Sequence, residues 1–358
     1  MRVAIVNDLR IATEALRRLL ASEPGCTLAW TAANGAVAVE RCREDRPDLV
    51  LMDLVMPVMD GVEATRRIMH ATPCPILVVT ATVDGNLGRV YDALGAGALD
   101  AVNCPTLGTD GGLEGGEPVL RKIRVLRRMS GVVAPPTPRA SAPSPCPAEF
   151  DAVDPAEARA AGAPPVLVGC STGGPEALGV VLRGLSKGFA APIVVVQHLD
   201  PEFVPGLVEW LGRTTGRRVG VVVPGGAPED GTVLVACTGD HLVFARDGTL
   251  HYRAEPAGDP YRPSVDAFFE SAAAPAVPVG VAVVLTGMGR DGAAGLLSLR
   301  RAGWRTFAQD AATSVVYGMP RAAKEAGGVQ RVVALPEIGV SIEAAWHGLV
   351  DAAARARS

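Results

Sequence analysis

The sequence predicts an α/β protein with two domains, and three observations lead to this prediction. The chain has 358 residues, more than a single ordinary core holds. Hydrophobic residues make up 48% of the chain and charged residues 20%, which is typical of packed cores rather than of disorder. Short apolar segments alternate with amphipathic segments in both halves, and parallel strands need such helical crossovers. The sheets are therefore predicted to be mainly parallel.

Residues 1–129 are predicted to form the N-terminal domain, a doubly wound five-stranded parallel sheet. Five strand-like segments each precede a helix-like segment. In chain order these pairs are VAIV and IATEALRRLLAS, LAWTA and GAVAVERCRE, DLVLMD and GVEATRRIMHA, PILVVTA and NLGRVYDALGAG, and LDAV and PVLRKIRVLRRM. This alternation predicts helices on both faces of the sheet.

Residues 130–164 are predicted to be a linker. The stretch from Ser130 through Pro165 contains nine prolines, together with many alanines and serines and a single aromatic residue, Phe150. Such a segment offers little apolar surface to hold a fold. We therefore expect it to be partly extended and solvated.

Residues 165–349 are predicted to form a second α/β domain, with a mostly parallel sheet and an antiparallel hairpin. Its strand-like segments are PVLVG, PIVVVQ, RVGVVV, TVLVAC, LVFAR, VGVAVVLTG and VQRVVAL. The hairpin-like turns PGGAPEDGT and ARDGTLHY lie between the strands that are predicted to be parallel.

Composition argues against several classes of protein. A net charge of −4 and a pI near 5.8 do not fit a nucleic-acid binder held by phosphate neutralisation. The seven cysteines include no C-x-x-C pair and the five histidines no H-x-x-x-H pair, so neither a disulfide framework nor a zinc site is indicated. MRVAIVNDLR lacks the apolar region of a signal peptide, and no apolar run has the length of a membrane span. The protein is expected to be cytoplasmic.

Two aspartates are predicted to lie at the carboxyl edge of the first sheet. Asp8 follows the first strand and Asp53 ends the third, near the topological switch point of a doubly wound sheet. Clustered carboxylate oxygens suit Mg²⁺, and a carboxylate beside such an ion can accept a phosphoryl group. Asp53 is the predicted acceptor. The plain alternative is a carboxylate that only caps a strand end.

The segments VNDLR, DLVLMDLVMPVMDG, ILVVTA and GALDAVNCP resemble the response-regulator receiver domain, which has a flavodoxin-like fold. The resemblance implies that Asp53 is the phosphoacceptor and that Thr80 supplies the switch hydroxyl. It also implies that Asp8, Asp53 and the backbone carbonyl of Val55 bind Mg²⁺. A CheA-type histidine kinase is the implied phosphodonor.

Three positions depart from the receiver pattern. Asn7 stands where the first member of an acidic pair is usual, and it brings a carbonyl oxygen without a charge. Cys104 precedes Pro105 where a lysine is usual, and a thiol cannot neutralise an acyl phosphate as an ammonium would. Ala101 occupies the aromatic switch position. Phosphorylation of Asp53 is predicted, but its readout stays open, and so does a receiver-like docking module with an inert aspartate.

The second domain begins with a G-x-S-x-G sequence, residues 169–173, in which Ser171 is the central serine. An apolar strand precedes it, and Pro175 is placed to open a helix. Small residues allow a sharp turn that exposes the serine oxygen. The same strand–turn–helix geometry can bind a phosphate, so the motif alone leaves nucleophile and phosphate loop equally open.

Two further residues favour the nucleophile. A serine needs a base to take its proton, and the base needs an acid to orient it. His198 follows PIVVVQ and Asp291 follows VGVAVVLTGMGR, so both are predicted to meet Ser171 at the carboxyl edge of one sheet. The chain order Ser, His, Asp differs from that of α/β-hydrolases. Taken singly, His198 could be a core histidine, and Asp291 could cap the helix GAAGLLSL.

GCSTGGPEAL, VVVQHL, YRPSVD, LTGMGRDGA and AQDAATSVVYGMP resemble, in order and spacing, the catalytic domain of the CheB chemotaxis methylesterases. The resemblance implies Ser171 as nucleophile, His198 as general base and acid, and Asp291 as orienting carboxylate. It implies the backbone N–H of Met288 as an oxyanion donor, with Thr172 beside the nucleophile. The implied substrates are glutamyl methyl esters and glutamines of methyl-accepting chemotaxis receptors, without a cofactor for the esterase.

Two other interpretations stay open. A non-catalytic adaptor could bind kinase or receptor through the altered receiver domain. A hydrolase of small esters would need a deep apolar pocket, which the sequence does not indicate. The missing receiver lysine and the VND and VN-x-P segments resemble the WspF branch, which serves a surface-sensing pathway whose output is a diguanylate cyclase.

Overall fold

The computed structural model describes residues 1–80, 87–107, 113–129, 163–256 and 261–357. The predicted linker lies outside the described residues, apart from residues 163–164. Its extended conformation and the exact domain boundaries therefore stay predictions.

The first sheet confirms the predicted doubly wound architecture. Its elements are β1 (Arg2–Val6), α1 (Arg10–Ser22), β2 (Thr27–Ala32), α2 (Gly35–Glu44), β3 (Leu49–Met52), α3 (Gly61–Ala71), β4 (Ile76–Thr80), α4 (Leu87–Gly95), β5 (Asp100–Asn103), β6 (Thr106–Leu107), β7 (Leu113–Glu114) and α5 (Gly116–Met129). The five long strands pair in parallel in the order β2-β1-β3-β4-β5. Every residue of β3 and β4 is buried because helices cover both faces. The antiparallel β6–β7 hairpin was not predicted.

The second sheet has seven strands, all parallel. Its region contains β8 (Val166–Cys170), α6 (Gly174–Gly184), β9 (Ile193–Gln197), α7 (Val204–Thr215), β10 (Arg218–Val221), β11 (Thr232–Val235), β12 (His241–Phe244), β13 (Leu250–Arg253), α8 (Val265–Ala272), β14 (Val281–Val284), α9 (Ala293–Arg301), β15 (Arg305–Gln309), α10 (Met319–Glu325), β16 (Arg331–Val333) and α11 (Leu335–Arg357). The strand order is β10-β11-β9-β8-β14-β15-β16. The predicted antiparallel hairpin is confirmed as β12–β13, which forms a separate two-stranded sheet.

The central strand of this sheet is β8. From β8 the chain crosses to β9 on one side, and it later returns to β14 on the other side. The topological switch point therefore lies between β8 and β14, where open α/β sheets place their ligand sites. Because β9, β8 and β14 are adjacent and parallel, the loops that follow them lie at the same carboxyl edge of the sheet.

The two sheets are joined through a packed interface between helices. Helix α4 of the first unit lies against α6 and α7 of the second. Tyr91 is fully buried there, its ring centroid 6.0 Å from that of Trp210, and its hydroxyl donates to the Phe203 carbonyl at 2.7 Å. No helix within the described ranges is long and apolar enough to cross a membrane.

Candidate active site

The three residues predicted for catalysis follow three adjacent parallel strands. In the register of β8 and β9, Cys170 pairs with Gln197, so the next residues, Ser171 and His198, lie side by side. The His198 N–H donates to the Cys170 carbonyl at 3.0 Å, which fixes the start of its loop beside the serine. Asp291 follows β14, the neighbour of β8 on its other side.

His198 and Asp291 are in direct contact. The His198 Nε2 atom lies 2.8 Å from Asp291 Oδ2, and Asp291 is only 3% exposed. Burial alone would raise the pKa of Asp291, but the hydrogen bond and charge of His198 and two backbone N–H groups outweigh it and lower the pKa. An ionised carboxylate can only accept, so Nε2 carries the proton and Nδ1 is the basic nitrogen.

The Asp291 carboxylate faces the first residues of α8. It does not cap α9, the helix that follows Asp291 in the chain. The carboxylate accepts from the Ser264 hydroxyl at 2.9 Å and from the N–H groups of Val265 and Asp266 at 2.6 and 2.8 Å. These are N–H groups that a helix start leaves without an internal partner. The N-cap of α9 is Gly292. The cap interpretation of Asp291 for that helix is therefore wrong.

Ser171 occupies the sharp turn between β8 and α6. The turn ends at Gly173, whose φ of +76° is in the left-handed region that favours glycine. Ser171 and His198 line one cavity of about 130 Å³. The serine hydroxyl forms no hydrogen bond with His198 or with any other described residue. The structure thus places the serine beside the base, and their proton-transfer contact remains a prediction.

Gly287 allows the loop of residues 287–289, the predicted oxyanion loop that carries Met288, to lie against the nucleophile. A Cβ atom on Gly287 would lie 2.9 Å from Ser171 Cβ and 2.4 Å from Met319 Sδ, so only glycine allows this approach. Met288 is the next residue and lines the same cavity. Its N–H donates to no other described residue. That N–H group is available for a developing negative charge beside Ser171.

Thr172, predicted beside the nucleophile, contacts the first unit. Its hydroxyl donates to Asp100 Oδ2 at 3.2 Å, and the same oxygen lies 2.6 Å from Lys122 Nζ. The Gly173 N–H donates to the Leu99 carbonyl at 3.0 Å. The loop that carries the nucleophile is therefore held directly by Leu99 and Asp100 at the start of β5, and Lys122 of α5 supports Asp100.

The predicted phosphoacceptor is buried at the carboxyl edge of the first sheet. Asp53 is 6% exposed, and burial raises its pKa, with a further rise from the charge of Asp8 and opposition from backbone N–H groups of Leu54 and Val55. A divalent cation between the two carboxylates would relieve this repulsion, so the donor set fits a hard ion such as Mg²⁺. No group of three or more His, Cys, Asp or Glu side chains suited to a metal occurs among the described residues.

The departures from the receiver pattern have visible consequences. The Asn7 side-chain oxygen accepts from the Leu9 N–H at 2.8 Å. Burial, and then the charge of Asp53, raise the pKa of the Cys104 thiol to about 11, so the thiol is neutral at physiological pH. The Lys122 ammonium pairs with Asp100 instead of Asp53. Thr80 is buried at the end of β4, and Ala101 is buried within β5.

Sequence reasoning missed part of the environment of the catalytic aspartate. His241 is fully buried in β12. Its Nδ1 accepts from the Ser264 N–H at 3.2 Å, and Ser264 in turn donates to Asp291. Ser264 belongs to the YRPSVD segment, whose resemblance to the methylesterases implies no role for its individual residues. Its polar side chains are the only sequence signal for this part of the site.

The fold and site define a class: a hydrolase-like α/β domain with a serine, a histidine and an aspartate at one sheet edge, joined to a receiver-like domain. Family comparison agrees with both parts. Residues 166–342 match the CheB methylesterase family model, and residues 3–107 match the response regulator receiver domain.

Relatives extend over nearly the whole chain. It is 47% identical over 338 residues to protein-glutamate methylesterase/protein-glutamine glutaminase 3 of Pseudomonas savastanoi pv. phaseolicola, covering 94% of this chain and 97% of the relative. It is 47% identical over 347 residues to the protein-glutamate methylesterase/protein-glutamine glutaminase of Mesorhizobium japonicum, covering 96% of this chain and 98% of the relative. The chain belongs to the CheB methylesterase family with an N-terminal receiver domain.

Two solved structures are each similar to one part of the chain. The catalytic domain of Thermotoga maritima CheB methylesterase is 32% identical with a TM-score of 0.47, covering 51% of this chain and 98% of that one. The response regulator domain of Thermotoga maritima CheB is 27% identical with a TM-score of 0.31, covering 38% and 98%.

Proposed function

We propose that this chain is a protein-glutamate methylesterase and protein-glutamine deamidase of chemotaxis receptors, regulated by its receiver domain. The observation that carries the proposal is the 2.8 Å contact between His198 and the buried Asp291, because His198 also lines the cavity that contains Ser171. The names and coverage of the relatives supply the substrate class. A phosphate loop would have no use for the adjacent base and acid.

The proposed reaction is an acyl transfer through the serine. His198 Nδ1 takes the hydroxyl proton of Ser171 as its oxygen attacks the ester carbonyl. The Met288 N–H binds the resulting oxyanion, and one such donor contributes about 3 kcal/mol in comparable sites. His198 returns the proton to the departing methoxy oxygen, which leaves as methanol. Water then repeats these steps and releases the glutamate carboxylate.

Deamidation would use the same steps on a glutamine. The proton from His198 goes to the amide nitrogen, ammonia leaves in place of methanol, and the same acyl-enzyme is hydrolysed. No additional residue is required, because both substrates form the same glutamyl ester on Ser171.

The receiver is proposed to accept a phosphoryl group on Asp53 from a CheA-type histidine kinase. Asp8, Asp53 and the carbonyl of Val55 would hold Mg²⁺, which supplies charge neutralisation for phosphoryl transfer. A cytoplasmic location follows from receptor and kinase as partners. The WspF-like interpretation, a surface-sensing pathway ending in a diguanylate cyclase, stays a prediction from the altered receiver residues.

The test is methanol release from a methylated receptor by wild type and Ser171→Ala. We expect Ser171→Ala to lose at least 10³-fold in rate, an order of magnitude taken from other serine triads. Equal rates would favour the adaptor interpretation, in which the receiver domain binds kinase or receptor and Ser171 has no catalytic role. Turnover of small soluble esters at rates matching the receptor would favour the small-ester hydrolase instead.

A further inference from the structure

One hydrogen bond to Asp291 does not fix the plane of the His198 ring. It restrains Nε2, but the ring can still turn about that contact and move Nδ1 away from the serine. Among the described residues, the Ser171 hydroxyl makes no hydrogen bond that would hold Nδ1 from the other side. Another contact must therefore set the tilt of the imidazole.

Tyr261 makes that contact. Its ring lies face to face with the His198 imidazole, with centroids 5.0 Å apart and planes inclined by 13°. Both rings line the cavity that contains Ser171. Because the tyrosine covers one face of the imidazole, it restricts rotation of the ring without competing for either nitrogen.

The same tyrosine also contacts the predicted oxyanion loop. A Cβ atom on Gly289 would lie 2.0 Å from the Tyr261 hydroxyl oxygen and 3.0 Å from Cζ, so the end of the ring fills the space above this glycine. Gly289 has a φ of +87° and directly follows Met288. Tyr261 thus links the base to the loop that presents the oxyanion donor.

Neighbouring residues hold the tyrosine segment in place. Arg262 donates to the Gly239 carbonyl at 2.8 Å and pairs with Asp240 at 2.8 Å. Two residues further on, Ser264 donates to Asp291. One short segment therefore contacts the imidazole through its first residue and the carboxylate through its fourth.

We propose that Tyr261 is a positioning residue that holds the His198 ring with Nδ1 toward Ser171 through ring stacking. This inference rests on the proposed esterase function. It predicts that an aromatic ring is needed at this position and that the hydroxyl is secondary. Tyr261→Phe keeps the stacked face, whereas Tyr261→Leu keeps apolar bulk without it.

The experiment compares methanol release by full-length wild type, Tyr261→Phe, Tyr261→Leu and Ser171→Ala. We expect Tyr261→Leu to lower kcat about 10- to 100-fold with little change in KM, because a misplaced catalytic group costs this much in rate. Tyr261→Phe should stay within about threefold of wild type. Tyr252→Leu removes a tyrosine ring of β13 whose hydroxyl accepts from the Cys237 N–H at 2.9 Å and which does not line this cavity. It is the matched control and should retain kcat.

A second readout does not depend on activity. The His198 Nε2–H proton shared with Asp291 should give a low-field proton NMR signal, assigned by its loss in His198→Gln. We expect the signal to persist in Tyr261→Phe and to be lost by exchange in Tyr261→Leu, at equal thermal midpoints. Wild-type signal and kcat in Tyr261→Leu would overturn the inference, as would equal losses in Tyr261→Phe. If wild type releases no methanol, the proposed function fails and the proton signal alone decides the role of Tyr261.

Discussion

At the scale of single residues, the site depends on keeping one buried carboxylate ionised beside another carboxyl group. Asp291 accepts hydrogen bonds from His198, from the Ser264 hydroxyl and from backbone N–H groups, and its pKa is lowered. Asp266 lies next to it with the Gly295 N–H as a partner at 2.7 Å. Burial and then the charge of Asp291 raise the pKa of Asp266 to about 7. The negative charge is therefore stabilised on Asp291, and that charge disfavours ionisation of Asp266.

Asp266 should make folding stability fall as the pH rises. Its pKa of about 7 in the folded protein exceeds the ordinary value of 3.8, so between pH 4 and pH 7 the folded state holds more protons than the unfolded state. The free energy of unfolding should therefore decrease across this window, by at most about 1.4 kcal/mol per pH unit, and level off above pH 7. Asp266→Asn should make this decrease smaller, and the part that remains belongs to other carboxyl groups whose pKa burial raises, such as Asp53 and Glu270.

Urea unfolding at pH 5, 6, 7 and 8 measures the effect. Asp247→Asn, an exposed aspartate in the turn of the β12–β13 hairpin, is the control and should retain the wild-type decrease. Parallel pH profiles for wild type and Asp266→Asn would show that Asp266 is not the titrating group.

The residues that could be predicted from the sequence are those at strand ends. Ser171, His198 and Asp291 each follow an apolar strand. Because the carboxyl ends of parallel strands lie at one edge of the sheet, this position alone predicts that the three residues are close together. Tyr261 and Ser264 lie between the β12–β13 hairpin and α8, and no periodicity indicates where such a segment folds. The Asp100–Thr172 contact joins two units, and a pattern within either one cannot reveal it.

At the scale of elements, α8 is both a structural helix and the support of the catalytic aspartate. Ser264 is the N-cap of α8, and its hydroxyl oxygen accepts from the Ala267 N–H at 3.2 Å. The same hydroxyl donates a hydrogen bond to Asp291. The helix start therefore supplies two backbone donors and one side-chain donor to a single carboxylate. Formation of α8 and orientation of His198 are coupled through this one residue.

Ser264→Ala should lower both stability and activity. Loss of an N-cap costs about 1 kcal/mol of folding free energy, and Asp291 loses one of its donors at the same time. Asn34→Ala removes the N-cap of α2 in the receiver domain, where Asn34 accepts from the Val37 N–H at 3.0 Å. Its stability loss should be similar, but methanol release should be unaffected. If both variants retain full kcat at equal stability loss, α8 has no role in orienting the aspartate.

At the scale of the whole molecule, the receiver domain holds the loop that carries the nucleophile. Asp100 binds Thr172 and Lys122, and the Leu99 carbonyl binds the Gly173 N–H. The phosphoacceptor site connects to this interface, because β4 ends at Thr80 and the next helix, α4, packs on α7. We expect the unphosphorylated receiver to restrain the active site and phosphorylation to loosen the interface.

Asp100→Ala should raise methanol release in the absence of a phosphodonor. The change removes the acceptor of Thr172 and the partner of Lys122 at the buried centre of the contact. Asp92→Ala is the matched control, because Asp92 pairs with Arg213 at the exposed rim, where such pairs contribute about 0–1 kcal/mol. Its basal rate should stay close to wild type. A basal rate in Asp100→Ala no higher than wild type, with an unchanged melting temperature, would argue against restraint through this contact.

Rapid quenching of a single turnover on a methylated receptor peptide tests the proposed chemistry most directly. Mass spectrometry of the digested enzyme should find the glutamyl group on the fragment that contains Ser171, formed as methanol is released and lost as the free glutamate appears. His198→Gln should form this adduct far more slowly. Methanol released at the full rate with no adduct on Ser171, or with the adduct on another residue, would contradict nucleophilic catalysis by this serine.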